Sequence, residues 1–213
     1  KMVDTNDEWI TARTGIKKRR ILKKEGKATS YLAINAANNL IKKKKLDPNT
    51  IDLVIVSTIT PDFHGASTAP TVASQINAYN AYAFDINAAC SGFLYGMSTA
   101  TSYIESGRYK KVLLIGADMM SSIVDYTDRS TSILFGDGAG AVVVSTTNED
   151  RGIISHHLHS EGKYAKELWI ETPSAQMYPR LTEELVKDGR HHLKMNGREV
   201  FKQAVKRFPE VII

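Results

Sequence analysis

The sequence predicts an α/β fold built around a buried, largely parallel sheet. Apolar runs of strand length occur at residues 53–56, 112–115 and 141–144. These runs are continuous rather than alternating, which is typical of strands that are covered on both faces. Segments with helical spacing of apolar residues separate the strands, and parallel strands need such crossover helices to connect them.

Local signals place each element along the chain. Thr5 and Glu8 have the spacing of a capping box, which predicts a short helix that Gly15 ends. Pro48 marks the end of the second helix. After the first helix, the predicted elements are a helix over residues 30–45, a strand over 52–58, a loop over 60–69, a helix over 70–78, a strand over 81–86, a helix over 92–106 and a strand over 111–117.

The glycine-rich segment 136–140 is the motif that most suggests a dinucleotide site. A phosphate-binding glycine loop needs a strand before it and a helix after it. Here residues 141–145 have the composition of a strand, so a nicotinamide site is disfavoured. We expect instead that two strands, one at 133–135 and one at 141–145, meet at a tight glycine turn with closely packed backbones.

The composition is that of a globular protein. The chain has 213 residues, of which 42% are hydrophobic and 24% charged, enough for one large or two small domains. A single cysteine excludes an internal disulfide and fits a reducing compartment. No apolar run reaches membrane-spanning length, and no signal peptide is visible. Because the sequence begins at Lys1 and stops within a helical pattern at Ile213, we expect a fragment at both ends.

The net charge of +5 comes largely from basic runs at residues 17–20, 23–24 and 42–45. Such runs are usually solvated faces. Nucleic-acid binding is disfavoured, because no aromatic residues interleave with the lysines and arginines and no zinc or helix-turn-helix signature occurs. A basic surface can still steer an acidic partner or a phosphorylated ligand.

Cys90 is the strongest candidate for a catalytic residue. It lies where the strand-like run 81–86 turns into the helix that begins near Gly92. A thiol at such a junction faces the free N–H groups of the first helical turn, whose field favours the thiolate. A lone cysteine is more often a small buried apolar side chain, but this setting and the small residues around Cys90 favour the catalytic interpretation.

The six histidines give no metal or catalytic signal. His156, His157 and His159 lie in a strand-like stretch, and His191 and His192 lie in a polar one. None has the spacing of a zinc site. We interpret all six as structural or surface residues, and none is an evident partner for the cysteine.

Four segments together resemble one enzyme family. Residues 7–16, 85–92, 126–129 and 135–140 occur with the order and spacing found in β-ketoacyl-acyl-carrier-protein synthase III. The resemblance implies that an acyl-CoA, acetyl-CoA above all, condenses with malonyl-acyl-carrier-protein through an acyl-cysteine. The products are 3-ketoacyl-acyl-carrier-protein, CoA and CO2, and the reaction initiates bacterial fatty-acid synthesis.

The resemblance also implies roles for individual residues. Cys90 is the residue that is acylated, with backbone N–H groups, including its own, stabilising the oxyanion. Trp9 and Arg129 match positions that sandwich the adenine of CoA, and Arg13 matches one near its phosphates. The positions that match the walls of the pantetheine tunnel are Leu134, Phe135, Gly197 and Phe201. CoA is a substrate in this scheme, and no cofactor or metal is implied.

A thiolase-like, layered αβαβα fold is implied by the same resemblance. Residues 1–147 match the N-terminal repeat without its first strand, and residues 148–213 match the truncated beginning of the C-terminal repeat. The catalytic histidine and asparagine of the family are expected beyond Ile213, so this stretch alone is expected to be inactive. Small residues in the loop 62–69 leave the length of the acyl primer open.

The implied partners are acyl-CoA, malonyl-acyl-carrier-protein and a second copy of the chain, paired along the edge of the strand at 81–86. Lys202 is a candidate for steering the acidic carrier protein. We expect a cytoplasmic protein without a nucleic-acid or membrane partner. Two alternatives stay open. One is a related condensing enzyme that uses malonyl-CoA, such as a type III polyketide synthase or a hydroxymethylglutaryl-CoA synthase, and the other is a non-catalytic paralogue that dimerises with an active subunit.

Overall fold

The computed structural model describes residues 3–212, so Lys1 and Ile213, the ends of the two predicted repeats, lie outside the described residues. The described chain forms two compact units, each assembled from separate stretches of sequence. The first, here called the four-stranded unit, consists of Ile21–Met119 and Asp137–Leu158. The second, here called the two-stranded unit, consists of Met120–Gly136 and the described residues before 21 and after 158. The predicted division into repeats at residue 147 stays a prediction.

Helices and strands alternate through the four-stranded unit. The helices of the described residues in both units are α1 (Asp7–Thr14), α2 (Thr29–Lys44), α3 (Thr68–Gln75), α4 (Gly92–Glu105), α5 (Arg129–Ser132), α6 (Glu183–Lys187) and α7 (Gly197–Ile212). The strands are β1 (Leu53–Ser57), β2 (Tyr82–Ile86), β3 (Lys111–Met119), β4 (Asp137–Ser145), β5 (Leu168–Ile170) and β6 (Leu193–Met195). Short 3₁₀ turns lie at Pro48–Thr50, Ala89–Ser91, Met120–Ser122 and Gly162–Glu167.

The sheet of the four-stranded unit has the strand order β2-β1-β3-β4. β1 is parallel to both of its neighbours, whereas β4 runs antiparallel to β3. Every residue of β1 is buried, which explains the continuous apolar run in its sequence. The predicted α/β fold with a largely parallel sheet is therefore confirmed.

Alternate residues of the central strands pack into two separate cores. Val54 and Val56 belong to a cluster with apolar residues of α2 and α3. Leu53 and Ile55, which point to the opposite face because strand side chains alternate, belong to a cluster with Ala100 of α4. The four-stranded unit is thus a three-layer arrangement in which α4 covers one face of the sheet and α2 and α3 cover the other.

The predicted cap of α1 is wrong by one residue. The N-cap is Asn6 rather than Thr5, and its side-chain oxygen accepts a hydrogen bond from the N–H of Trp9 at 2.8 Å. Asparagine is a stronger N-cap than threonine, and this preference outweighs the capping-box spacing, which only Thr5 satisfies because Glu8 lies three residues after it. Gly15 ends the helix with a left-handed φ of 70°, as predicted.

The glycine-rich segment lies within a strand and does not form a turn between strands. β4 continues through Gly138 and Gly140, both of which pair with β3. The predicted strand at 133–135 is wrong, because these residues follow α5 as a turn. The close packing expected between two strands at these glycines is absent among the described residues, since a Cβ on Gly138 or Gly140 would meet nothing within 4 Å. A close backbone approach occurs instead at Gly136, where a Cβ would lie 3.0 Å from the carbonyl oxygen of Arg20.

The two-stranded unit contains the antiparallel pair β5 and β6. The N–H of Leu193 in β6 donates to the carbonyl of Ile123 at 2.8 Å, which ties β6 to the segment before α5. Helix α7 exposes a row of apolar side chains, including Phe201, Val205 and Phe208. No helix within residues 3–212 is both long and apolar enough to cross a membrane. The stretch around His156–His159, predicted to be strand-like, has no regular structure.

Candidate active site

Cys90 lies in the 3₁₀ turn Ala89–Ser91, between the end of β2 and the start of α4, and it is exposed. The N–H of Ser91 donates to the carbonyl of Ala88 at 3.1 Å and closes the turn. The predicted junction of strand and helix is therefore present. The arrangement presents a thiol to solvent directly before the first turn of a 14-residue helix, where a helix favours negative charge.

The residue before the cysteine has a strained backbone. Ala89 adopts a φ of +46°, a left-handed conformation that costs a residue with a Cβ about 1–2 kcal/mol. Within residues 3–212 the other non-glycine residues with positive φ are Lys45 and Asn77, which follow the ends of α2 and α3. Strain of this kind persists where the surrounding structure holds it, and it is often found at functional sites.

The start of α4 is packed very closely on the end of β1. The hydroxyl of Ser57 donates to the carbonyl of Gly92 at 2.8 Å. A Cβ on Gly92 would lie 3.2 Å from the Cβ of Ser57, and one on Gly96 would lie 2.5 Å from Leu114 Cδ1. The two glycines, one helical turn apart, therefore let the helix approach the sheet where larger residues would clash.

Two carboxylates fix the loops at the carboxyl edge of the sheet. Asp85 of β2 accepts hydrogen bonds from the backbone N–H groups of Thr68 and Ala69, at 2.6 and 2.7 Å, at the start of α3. Asp118 of β3 accepts from the hydroxyl of Thr58 at 2.9 Å and from two further donors in the loop after β1. The Cys90 turn thus follows a strand that is itself tied to a neighbouring helix.

A second cluster, in the two-stranded unit, brings together three of the residues matched to CoA binding. Trp9 and Arg13 are four residues apart on α1 and so lie on one face, with the Arg13 guanidinium 4.3 Å from the centre of the indole ring. The guanidinium of Arg129 lies 5.4 Å from the same ring. Arg129 also donates to the carbonyl of Asp4 at 3.0 Å. The cluster offers an aromatic face and two permanent positive charges.

Asp128 holds Arg129 at the start of α5. It is the N-cap of that helix, and its carboxylate accepts from the N–H and hydroxyl of Ser130 and the hydroxyl of Thr131. Partial burial alone would raise the pKa of Asp128, but these hydrogen bonds outweigh burial, so its pKa lies below the ordinary value. The carboxylate therefore stays charged and keeps the loop ordered.

Sequence comparison assigns these motifs to a family. Residues 84–162 match the family model described as 3-oxoacyl-[acyl-carrier-protein (ACP)] synthase III. The β-ketoacyl-[acyl-carrier-protein] synthase III of Chlorobium chlorochromatii is 50% identical over 211 residues, which are 99% of this chain and 64% of that protein. Synthase III 2 of Bacteroides thetaiotaomicron is 48% identical over 99% of this chain and 62% of its own length.

The chain belongs to the β-ketoacyl-acyl-carrier-protein synthase III family. It spans a little under two thirds of the length of the curated relatives that it matches. The solved 3-oxoacyl-[acyl-carrier-protein] synthase III of Aquifex aeolicus superimposes with a TM-score of 0.85 at 43% identity, over 98% of this chain and 62% of that one. A priming β-ketosynthase from the R1128 polyketide pathway gives 0.79 at 34% identity, over 96% and 59%. The thiolase-like fold of the synthase III family is thereby confirmed.

The remaining positions matched to the synthase III family lie in the two-stranded unit, as do Trp9, Arg13 and Arg129, here called the Trp9 cluster. Leu134 and Phe135 are half-buried in the turn after α5. Gly197 is exposed at the start of α7, and Phe201, one turn further along, is 71% exposed. Their assignment to the walls of a pantetheine tunnel stays a prediction, as do the roles of Cys90 and of the Trp9 cluster.

Sequence analysis missed three residues that shape the cysteine turn. Asp85 had a visible signal, since a charged residue inside an apolar strand needs a buried partner. Ser57 gave none, because its partner Gly92 is distant in sequence. Ala89 gave none either, because alanine is not a residue type that marks a left-handed position.

Two histidines, His191 and His192, lie against each other with ring centres 3.9 Å apart. Burial lowers the pKa of His191, and the adjacent His192 lowers it further, against a smaller opposing effect of Asp125. Within residues 3–212, no group of three or more histidine, cysteine or acidic side chains is arranged to hold a metal ion.

Proposed function

We propose that the protein containing this chain catalyses the priming condensation of fatty-acid synthesis. The thiolate of Cys90 attacks the thioester carbonyl of an acyl-CoA, and the CoA thiolate leaves, so that an acyl-cysteine forms. Malonyl-acyl-carrier-protein then loses CO2, and the resulting carbanion attacks the acyl carbon. The new carbon–carbon bond displaces the Cys90 thiolate and gives 3-ketoacyl-acyl-carrier-protein. The observation that carries this proposal is the exposed thiol at the strained turn before α4.

The backbone around Cys90 is suited to both halves of this reaction. The N–H groups of a helical first turn have no intrahelical acceptor, and they stabilise both the attacking thiolate and the oxyanion of the tetrahedral intermediate. We assign one oxyanion donor to the N–H of Cys90 itself. The role of decarboxylation is assigned to no residue within 3–212.

We propose that Trp9 and Arg129 hold the adenine of CoA and that Arg13 contacts its phosphates. An indole and a guanidinium both stack on a purine, and a guanidinium pairs well with phosphate. The proposed walls of the channel for the pantetheine arm are Leu134, Phe135, Gly197 and Phe201. Arg129 is supported in this role by Asp128, which orders the start of α5.

Two partners complete the proposal. A second copy of the chain would pair along β2, which is an edge of the sheet and exposes 58% of Tyr82. The acidic carrier protein would be steered by surface lysines, and Lys202 on α7 is the candidate. Among the described residues, the only ion pair of Lys202 is a long one with Glu199, at 3.8 Å. We place the protein in the cytoplasm, where fatty-acid synthesis and reduced thiols are found.

Transfer of radiolabel from acetyl-CoA to the protein, followed by peptide mapping, tests the proposal. We expect label on the peptide that contains Cys90 and none in the Cys90→Ala variant, with Ser91→Ala as a labelled control. Label retained by Cys90→Ala would overturn it, and an unlabelled wild type would favour the non-catalytic paralogue. Subsequent release by malonyl-acyl-carrier-protein but not by malonyl-CoA separates the synthase from the related condensing enzymes.

A further inference from the structure

Ser57, the last residue of β1, has a buried hydroxyl with a specific partner. The residue is 5% exposed, and its Oγ donates to the carbonyl of Gly92, the first residue of α4, at 2.8 Å. A carbonyl oxygen has two lone pairs, so Gly92 can accept this bond together with its ordinary intrahelical one. A buried hydroxyl without a partner is costly, so this contact is a specific feature of the packing.

Ser57 also sets how closely the helix can lie on the sheet. A Cβ on Gly92 would be 3.2 Å from the Ser57 Cβ, and one on Gly96 would be 3.0 Å from its Oγ. The serine side chain therefore occupies the space that the two glycines leave. It acts as a spacer as well as a tether for the first turn of α4.

The strand that leads into the cysteine turn is held at the same place. Ser57 pairs with Ile86, the last residue of β2, and the N–H of the next residue, Thr58, donates to the Ile86 carbonyl at 3.1 Å. The chain is thus attached to the end of β1 at two points, at Ile86 before the cysteine and at Gly92 after it. Cys90 lies on the short loop between these two attachment points.

We propose that Ser57 is a positioning residue for the Cys90 nucleophile, holding the start of α4 at a fixed distance from the end of β2. Ser57 touches no reacting atom in this scheme. It acts by fixing the far end of the loop on which the thiol and its strained neighbour Ala89 lie. This inference rests on the proposed function in one respect, that the Cys90 thiol is the attacking group. The packing geometry concerns only where that thiol lies.

Two rates measured on Ser57→Ala test the inference. Cys90 is the only cysteine in the sequence, so its alkylation by iodoacetamide can be measured directly. We expect this alkylation to slow about threefold, because a frayed first turn of α4 stabilises the thiolate less. We expect transfer of the acetyl group from acetyl-CoA to slow about tenfold, because small misplacements of a reacting group are costly. The dissociation constant of CoA should not change, since Trp9 and the two arginines are untouched.

Thr29→Val is the matched control. The buried hydroxyl of Thr29 donates to the carbonyl of Thr60 at 2.5 Å in the same unit, so this variant also loses a buried hydroxyl hydrogen bond. We expect it to lose stability while keeping the alkylation rate of the wild type. Gly96→Ala provides a second variant, because a Cβ there would lie 2.5 Å from Leu114 Cδ1 and 3.0 Å from Ser57 Oγ and would push the start of α4 away from the sheet, although alanine is the better helix former. Its alkylation should also slow.

The outcomes are distinct. Equal slowing of alkylation in Thr29→Val and Ser57→Ala would show a general effect of lost stability and would overturn the positioning role. Wild-type alkylation rates in both Ser57→Ala and Gly96→Ala would overturn it as well. A wild type that alkylates normally but accepts no acetyl group would refute the proposed function, while slowed alkylation in the two variants would still support the positioning of the thiol.

Discussion

The carboxylate of Asp85 on β2 closes the amino end of α3 through the backbone N–H of Thr68, at 2.6 Å, and of its neighbour Ala69, at 2.7 Å. Ser67, the N-cap of α3, makes no side-chain capping bond within the part of the chain that the structure describes. A residue of a neighbouring strand therefore caps the amino end of α3, a role that the N-cap side chain has in most helices. Because Asp85 lies on the strand that leads to Cys90, the cap also ties that strand to the helix layer.

Asp85→Ala is expected to destabilise the protein by about 1–3 kcal/mol, because two backbone donors lose a charged acceptor. Asp85→Asn keeps one acceptor oxygen and should lose less. Chemical denaturation measures both. Asp47→Ala is the control, since Asp47 caps only the exposed turn at Pro48–Thr50, and its effect should stay below about 1 kcal/mol. Equal losses for Asp85→Ala and Asp47→Ala would contradict the assigned role.

The left-handed conformation of Ala89 predicts an unusual pattern of substitutions. Ala89→Gly should change the free energy of unfolding by less than about 1 kcal/mol, because glycine adopts this conformation freely but gains entropy in the unfolded chain. Ala89→Val should lose about 1–3 kcal/mol, because a β-branched residue is strained at positive φ. Ala66→Val, in an exposed loop at negative φ, should be nearly neutral. A neutral Ala89→Val would show that the turn does not require this conformation.

Binding of CoA should depend on both cations beside Trp9. Arg129→Ala is expected to weaken binding by about 1–3 kcal/mol through lost charge-assisted contacts, as measured by calorimetry. In a Trp169→Phe background, Trp9 is the remaining tryptophan, and its fluorescence should respond to CoA. Lys166→Ala is the matched control, because Lys166 lies 5.4 Å from the ring of Trp169 in a similar pair. A control that weakens CoA binding as much as Arg129→Ala would exclude a specific site at Trp9.

Glu171 predicts a dependence of stability on pH. It is 18% exposed and bonds to Arg190 at 2.5 Å and Lys194 at 3.0 Å, and the hydrogen bond from Arg190, followed by that from Lys194, lowers its pKa from 4.5 to about 2. A carboxylate whose pKa is lower in the folded than in the unfolded protein stabilises the fold at any pH above its unfolded-state pKa. That contribution is lost as the pH falls toward the folded-state pKa. Glu171→Gln should therefore lower Tm at pH 7, with the difference from wild type shrinking between pH 4.5 and about 2.

The matched control for that titration is Glu183→Gln. Glu183 pairs with Lys187 at 2.7 Å but is 82% exposed, and such surface pairs contribute little. Its Tm should follow that of the wild type across the same range of pH. A constant Tm difference for Glu171→Gln at every pH would show that its effect does not arise from the carboxylate charge.

Pairing of two copies along β2 predicts a variant that dissociates. Tyr82→Lys places a charge on the exposed edge residue of the sheet, and charges on an edge strand oppose pairing. Sedimentation should then show monomers at micromolar concentration, where we expect a dimer for the wild type. Tyr178→Lys changes a fully exposed tyrosine in the two-stranded unit and should leave the association of the two copies unchanged. A monomeric wild type would contradict the proposed pairing.

Patterns of apolar residues predicted the strands and helices well, because burial on both faces of a sheet leaves a direct mark on composition. The run at 52–58 and the helical spacing at 30–45 were therefore sufficient to place β1 and α2. The glycine-rich segment was misplaced, because exposed glycines are compatible with either a turn or a strand and only the pairing with β3 distinguishes them. The family motifs indicated Cys90, Trp9, Arg13 and Arg129 as candidates, and the structure brings the last three together, whereas their roles stay predictions.

Long-range contacts account for what could not be predicted of the candidate site. Nothing local in the sequence indicates that Ser57 bonds to Gly92 or that Arg129 reaches the carbonyl of Asp4. The N-cap of α1 was assigned to Thr5 because of its spacing to Glu8, whereas the cap is formed by the adjacent Asn6, a residue with the stronger capping preference.

Successive side chains of β1 pack into two different cores, so the number of residues in this strand is constrained more strictly than the type of apolar residue at each position. Leu53 and Ile55 pack toward α4, whereas Val54 and Val56 pack toward α2 and α3. Exchanging one apolar side chain for another changes a single core, but deleting or inserting one residue turns every following side chain to the opposite face. Ser57 would then point away from Gly92. Insertions and deletions should accordingly be tolerated in the exposed loop residues 63–67 and not inside this strand.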